Sequence, residues 1–335
     1  MNFNIEQERS DHCGHWYINC VHFRLYMPDL GIKISFKNIK MKKKTLKLFN
    51  QINEDDVFHA MDNNFNDAAS LWHNIQTEWM NHSYKVFQDS EKYLILIYLF
   101  LRTLETYSKY LIKLNIEDYF GKDKIEIENF HVIDISKKLN IPKESARRKI
   151  IELEKSKIIL RLKKKLIIDR SAFQYQRPIK SIVRISSFLS NFSEILFKEK
   201  ILKKKISSDK IDKYMRQNFT FCWKFFYEMY IPNLVLWKNY HGDLDTFHIF
   251  NICMVNNKEN TGINAKSISD ISGIPRATVI RKLKLLVKKK LLKFDNKKLY
   301  IFNEAKIIGD LIKVQTEITK KLSSFTTKIF NAMMV

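Results

Sequence analysis

Between Ile268 and Phe302 the apolar positions change period twice. Ile268 and Ile271 are the inward positions of a short helix that spans Ala265–Ser272, and Asn264 can cap its start. Gly273 ends it, where the chain must enter a left-handed conformation. Pro275 has its ring pre-set for the first turn of the next helix. There Val279, Leu283 and Leu286 recur at helical spacing and form one buried stripe. Two short apolar runs, Leu291–Phe294 and Leu299–Phe302, flank Asp295-Asn296 and predict a tight hairpin.

The same pattern occurs earlier. A shift of 133 positions lays Ile135–Asp169 on Ile268–Phe302 without a gap. Ile135 meets Ile268, Ile141-Pro142 meets Ile274-Pro275, Arg148-Lys149 meets Arg281-Lys282, and Leu166 meets Leu299. Asn140 replaces Gly273 and also tolerates the left-handed turn. Ala146, Ile150 and Leu153 form the inward stripe of this copy, and Lys163-Lys164-Lys165 its hairpin tip.

The rest of the pattern is helical. Asn53 and the acids after it can start a helix in residues 46–90, where Trp72 and Trp79 share a face. That face is ordinary core or dimer packing, or one wall of a ligand pocket. Residues 91–114 are apolar nearly all round in their first half, as in a helix buried on more than one side. Residues 181–197 read as an amphipathic helix followed by the basic run 198–205. Aromatic-rich residues 216–255 resemble residues 80–105, so the duplication extends to a helix plus its winged unit, and Pro232 breaks or kinks this stretch. Asn303 can cap a closing helix.

The segments IPKESARRKIIELEKSKII and IPRATVIRKLKLLVKKKLL resemble the recognition helix, and its exit into the wing, of winged helix-turn-helix transcriptional regulators of the MarR type. The resemblance covers about 35 residues per copy. It implies a mainly α fold with small β-wings, as two tandem winged helix-turn-helix domains joined and flanked by long helices. It departs from the family after the second helix, where Lys157 and Lys290 replace the usual Gly, so the turn there is strained or differently built. The implied boundaries are a disordered arm or mis-assigned start at 1–40, and helices plus the first winged unit at 41–175, with the helix-turn-helix at about 130–170. A helical linker at 176–243, the second winged unit at 244–303 and a C-terminal helix at 304–335 follow.

Charge sharpens this reading. The chain carries 59 basic and 36 acidic residues, a net +23. Residues 137–170 hold 13 basic and 4 acidic side chains and residues 266–298 hold 11 and 2, whereas residues 46–131 hold 8 and 14. Positive charge concentrated on the two repeats is the footprint of a phosphate-binding surface. Lys143, Ser145, Arg147, Arg148 and Lys149 in one copy, and Arg276, Thr278, Arg281 and Lys282 in the other, are the candidates at or beside base edges. Lys163, Lys164, Lys165, Lys297 and Lys298 are candidates for the flanking phosphates.

Other chemistry is sparse. Cys13, His15, Cys20 and His22 could offer four soft ligands, but their one-residue gaps suit a tetrahedral site poorly. Four irregularly spaced cysteines imply no disulfide framework and fit a cytoplasmic protein. The most apolar run, Tyr93–Leu101, is far short of the roughly 20 residues needed to span a bilayer. With 7 glycines and no phosphate-cradling loop or nucleophile motif, neither an enzyme nor a cofactor is expected. The expectation is a sequence-specific DNA-binding transcriptional regulator, with double-stranded DNA and a small-molecule effector as partners. It acts as a monomeric pseudo-dimer or a homodimer. The alternatives are a plasmid or phage replication initiator binding origin repeats, and a scaffold whose winged helices bind protein.

Overall fold

The structure is a computed structural model that describes residues 24–27, 32–35, 51–122, 124–127, 130–162, 165–169, 178–256, 262–295, 299–303 and 310–334. The chain divides into two compact units, Met1–Phe49 and Asn50–Val335. In the first, β1 (Arg24–Met27) pairs antiparallel with β2 (Ile32–Ser35), a hairpin that the unpatterned sequence before residue 40 did not announce.

The second unit is mainly helical, with small antiparallel strand pairs. It runs through α1 (Glu54–Asn63), α2 (Phe65–Phe87), α3 (Ser90–Lys109), α4 (Ile116–Phe120), β3 (Lys124–Ile127), α5 (Val132–Leu139), α6 (Lys143–Lys155), β4 (Ile159–Leu162) and β5 (Lys165–Asp169). Then come α7 (Ile179–Lys198), α8 (Ser208–Gln217), α9 (Phe219–His241), α10 (Leu244–Val255), α11 (Ala265–Ser272), α12 (Arg276–Lys288), β6 (Leu292–Phe294), β7 (Tyr300–Phe302) and α13 (Asp310–Met334).

These elements form two matching series, far longer than the 35-residue repeat. A shift of 154 positions carries α1 and α2 onto α8 and α9, end to end. Their local chemistry repeats as well. Asn53 and Ser207 cap α1 and α8 by accepting from the backbone N–H two and three residues on. Asn64 and Asn218 each donate their side-chain amide to the carbonyl four residues back. Gln88 and Gly242 end α2 and α9 in left-handed conformations, and Asp89 and Asp243 then cap α3 and α10. Residues 176–243, a linker in the sequence reading, thus hold the counterparts of α1 and α2. The extra residues of the first series lie in the longer α3, in α4 and in β3, which pairs with β5. In the second series, among the described residues, the bridge Ile263–Tyr300 stands where β3 would be.

The two series interlock. α3 packs on α9 and α10 on α2, each scaffold helix lying against the long helix of the other series. α1 packs on α13 and α8 on α7 by the same exchange. α2 and α9 meet at equivalent midpoints: Trp79 stacks on Phe226 and Tyr230, with ring centroids 5.1 and 4.6 Å apart, and Trp72 meets Tyr230 edge-on. Equivalent segments meeting one another mark a two-fold relation, here within a single chain. Trp72 and Trp79 are therefore buried in the aromatic core. α9 continues through Pro232 instead of breaking there, because burial along Phe226–Trp237 outweighs the roughly 3 kcal/mol a helix-interior proline costs.

Candidate nucleic-acid interface

Each series carries a helix, a tight turn, a second helix and a hairpin. The turn after α5 begins at Asn140, φ +50°, and that after α11 at Gly273, φ +77°. Ser136 and Ser269 brace the two turns alike, each hydroxyl donating to the carbonyl five residues on at 2.7 Å. Pro142 and Pro275 are the N-cap residues of α6 and α12, with ψ near 135°, one position earlier than the first turn that the sequence suggested. Inward, Ala146, Ile150 and Leu153 on α6, and Val279, Leu283 and Leu286 on α12, are buried.

The turn is also braced by the other series. Lys238 on α9 donates to the carbonyls of Leu139 and Asn140, and Asn140 donates to Asn239. Across the two-fold, Gly273 lies against Lys85 and Tyr84 of α2. A Cβ on Gly273 would sit 3.3 Å from Lys85 Cγ.

After α6 and α12 the chain turns at Lys157, φ +56°, and Lys290, φ +60°. These are the two lysines standing where the resemblance led to glycine, and they do adopt the left-handed conformation. The N–H groups of Ile158 and Leu291 close the turn onto Leu153 and Leu286. β4–β5 then joins β3 in a three-stranded sheet, while β6–β7 is two-stranded. The second hairpin is not a two-residue turn at Asp295-Asn296. Phe294 pairs with Tyr300, and Asp295 accepts from Leu299 across the loop.

The candidate residues part into two groups. Lys143, Arg147, Arg148, Arg276 and Arg281 are exposed, and Ser145 and Thr278 are half-buried beside them. Lys149 and Lys282 turn inward, which removes them from a contact surface. Lys149 is 7% exposed and bonds Asp89, with Glu91 at 3.5 Å. Lys282 bonds Asp243. Each ammonium is held by carboxylates that compensate its burial. Lys165 opens β5 opposite Leu162 and reaches Glu126 on β3 at 3.5 Å, a pairing that, after Lys124, holds the Glu126 carboxyl below its usual range. Lys163, Lys164, Lys297 and Lys298 lie outside the described residues, as do Cys13, His15, Cys20 and His22.

The two outer helices differ in charge. α6 carries Glu144, Glu152 and Glu154, which lie beside Arg147, Arg148 and Arg161. α12 has no acidic residue, and among the described residues Arg276 and Arg281 meet no carboxylate. It also exposes Lys284 and Lys288, two cations beyond those expected from the sequence.

Comparison of the chain with protein-family models, curated proteins and solved structures returned no match. No helix among the described residues is long and apolar enough to cross a membrane.

Proposed function

We propose that the chain is a sequence-specific DNA-binding protein, a transcriptional regulator built as a covalent pseudo-dimer of two MarR-like winged helix-turn-helix heads. α6 and α12 are its recognition helices, each able to enter a major groove, and the hairpins are wings that lie beside the flanking backbone. The observation that carries this reading is the pairing of two equivalent outer helices, each exposing cations, on one interlocked helical scaffold. Two heads fixed in this way take the places that two subunits occupy in a dimeric regulator. Because α6 exposes Lys143, Arg147 and Arg148 while α12 exposes Arg276, Arg281, Lys284 and Lys288, the preferred site is asymmetric.

Site selection from random duplex DNA, followed by gel shifts across a salt series, tests it. The expected result is one bipartite site with unequal halves and an affinity that falls steeply with salt. Weak, salt-insensitive binding to every duplex contradicts it and leaves protein contacts as the use of the heads. Selection of iterated repeats in place of a single bipartite site favours origin binding by a replication initiator.

A further inference from the structure

In each outer helix one lysine is tied to the aspartate that caps a scaffold helix, and in both cases Oδ1 of the aspartate serves the cap and Oδ2 the lysine. Asp89 Oδ1 accepts from the backbone N–H groups of Glu91 and Lys92 and so caps α3, while Asp89 Oδ2 accepts from Lys149 on α6. Asp243 Oδ1 accepts from the N–H and hydroxyl of Thr246 and so caps α10, while Asp243 Oδ2 accepts from Lys282 on α12. Burial pushes the Asp243 carboxyl up, and the Lys282 ammonium and Thr246 more than offset it, leaving it below the usual range.

The shift that aligns the aspartates is 154 positions and the shift that aligns the lysines is 133. The pairing survives a change in the spacing between its members. Helix geometry gives it a consequence. Consecutive residues lie about 100° apart around a helix, so a lysine pinned inward fixes the arginine before it toward solvent. Lys149 follows Arg148 and Lys282 follows Arg281, and both arginines are exposed.

We infer that Asp89 and Asp243 are positioning residues that set the rotation of α6 and α12, and with it the aim of Arg148 and Arg281. This rests on the reading of α6 and α12 as DNA-contacting helices. The two latches differ in redundancy. Lys149 also has Glu91, which is itself held by Lys238 at 2.8 Å. Lys282 has Asp243 as its paired carboxylate, and the neighbouring Asp245 is engaged by Ser90. The second head therefore depends on its latch more than the first.

The test compares Asp243→Asn and Asp89→Asn in the full chain. Asparagine keeps the N-cap acceptor and removes the charge, so the scaffold helix stays capped while the latch is lost. On the duplex selected by the wild-type protein, Asp243→Asn is expected to weaken binding roughly tenfold. Footprint protection is lost over one half of the site and kept over the other. Asp89→Asn gives a smaller effect on the opposite half. Lys282→Met reproduces Asp243→Asn, and the double variant is no worse than either. A wild-type footprint from Asp243→Asn, or equal loss over both halves, overturns the inference. Amide exchange supplies a readout that needs no DNA. If the wild-type protein selects no duplex, the functional reading fails, yet faster exchange confined to 276–288 in Asp243→Asn still supports the latch, and unchanged exchange there overturns it.

Discussion

Four residues decide where the outer helices begin and end: Asn140, Gly273, Lys157 and Lys290. All four hold positive φ, at pairs of positions 133 apart. Asn140 and Gly273 were legible in the sequence because their residue types favour that conformation. Lys157 and Lys290 were legible only as a departure from glycine, since lysine carries no local signal for it. A lysine there pays the Cβ–carbonyl crowding of the left-handed region, roughly 1–2 kcal/mol, while glycine gives back part of that gain through its freer unfolded chain. Lys157→Gly and Lys290→Gly are accordingly expected to stabilise the protein by about 0.5–1 kcal/mol each, read in urea melts. Gly273→Ala should destabilise it, because φ is +77° and the new Cβ would press on Lys85.

Among elements, α6 and α12 share a shape and differ in charge. Arg147 and Arg148 lie 3.8 Å from Glu144 and Glu152, so part of their field is spent within the helix. Replacing Arg276 and Arg281 together with alanine should flatten the salt dependence of DNA binding by about 2 in the log–log slope, and replacing Arg147 and Arg148 by less. A second asymmetry lies deeper, where α10 packs on α2. His73 Nδ1 donates to Asn251 at 2.7 Å, Asn251 donates to Thr77 and to the His73 carbonyl, and His248 Nε2 donates to Asn81 at 2.7 Å. The equivalent positions where α3 packs on α9 are Tyr227, Ile231, Val235, Leu94 and Ile97. Burial drives His73 down to about 4, and His248 and His241 to about 3, so the folded protein keeps all three neutral. The unfolded chain takes up those protons near pH 6.5, which favours unfolding as pH falls from 6.5 toward 4. Stability should drop over that window by up to about 1.4 kcal/mol per pH unit for each histidine, in urea melts at successive pH values. His73→Phe should reduce the slope by one proton's worth.

At the scale of the whole molecule, the duplication is nearly complete, and the sequence displayed its second half position by position but its first half only as an aromatic-rich helix before each winged unit. Ile135–Asp169 and Ile268–Phe302 align without a gap because turn, helix and hairpin constrain residue types closely. The first half repeats as geometry: equal helix lengths, a left-handed cap, an aspartate, and an asparagine reaching back four residues. Its core-facing side chains diverged, since the counterpart of Trp72 154 positions on is Phe226 and that of Trp79 is Asn233. The change of shift from 154 to 133, across the extra α4 and β3, hid what remained. The exchanged packing of α3 on α9 and α10 on α2 could not be read from either copy alone, because each apolar helix face is equally suited to its own long helix.

On the proposed reading that exchange lets one chain take the place of a dimer, and the mass of the complex with the selected duplex tests this most directly. Sedimentation of the complex, read together with its footprint, should give one chain per duplex, protecting two unequal segments whose centres lie roughly 34 Å apart on one face of the helix. Two chains on two identical, inverted half-sites would contradict it.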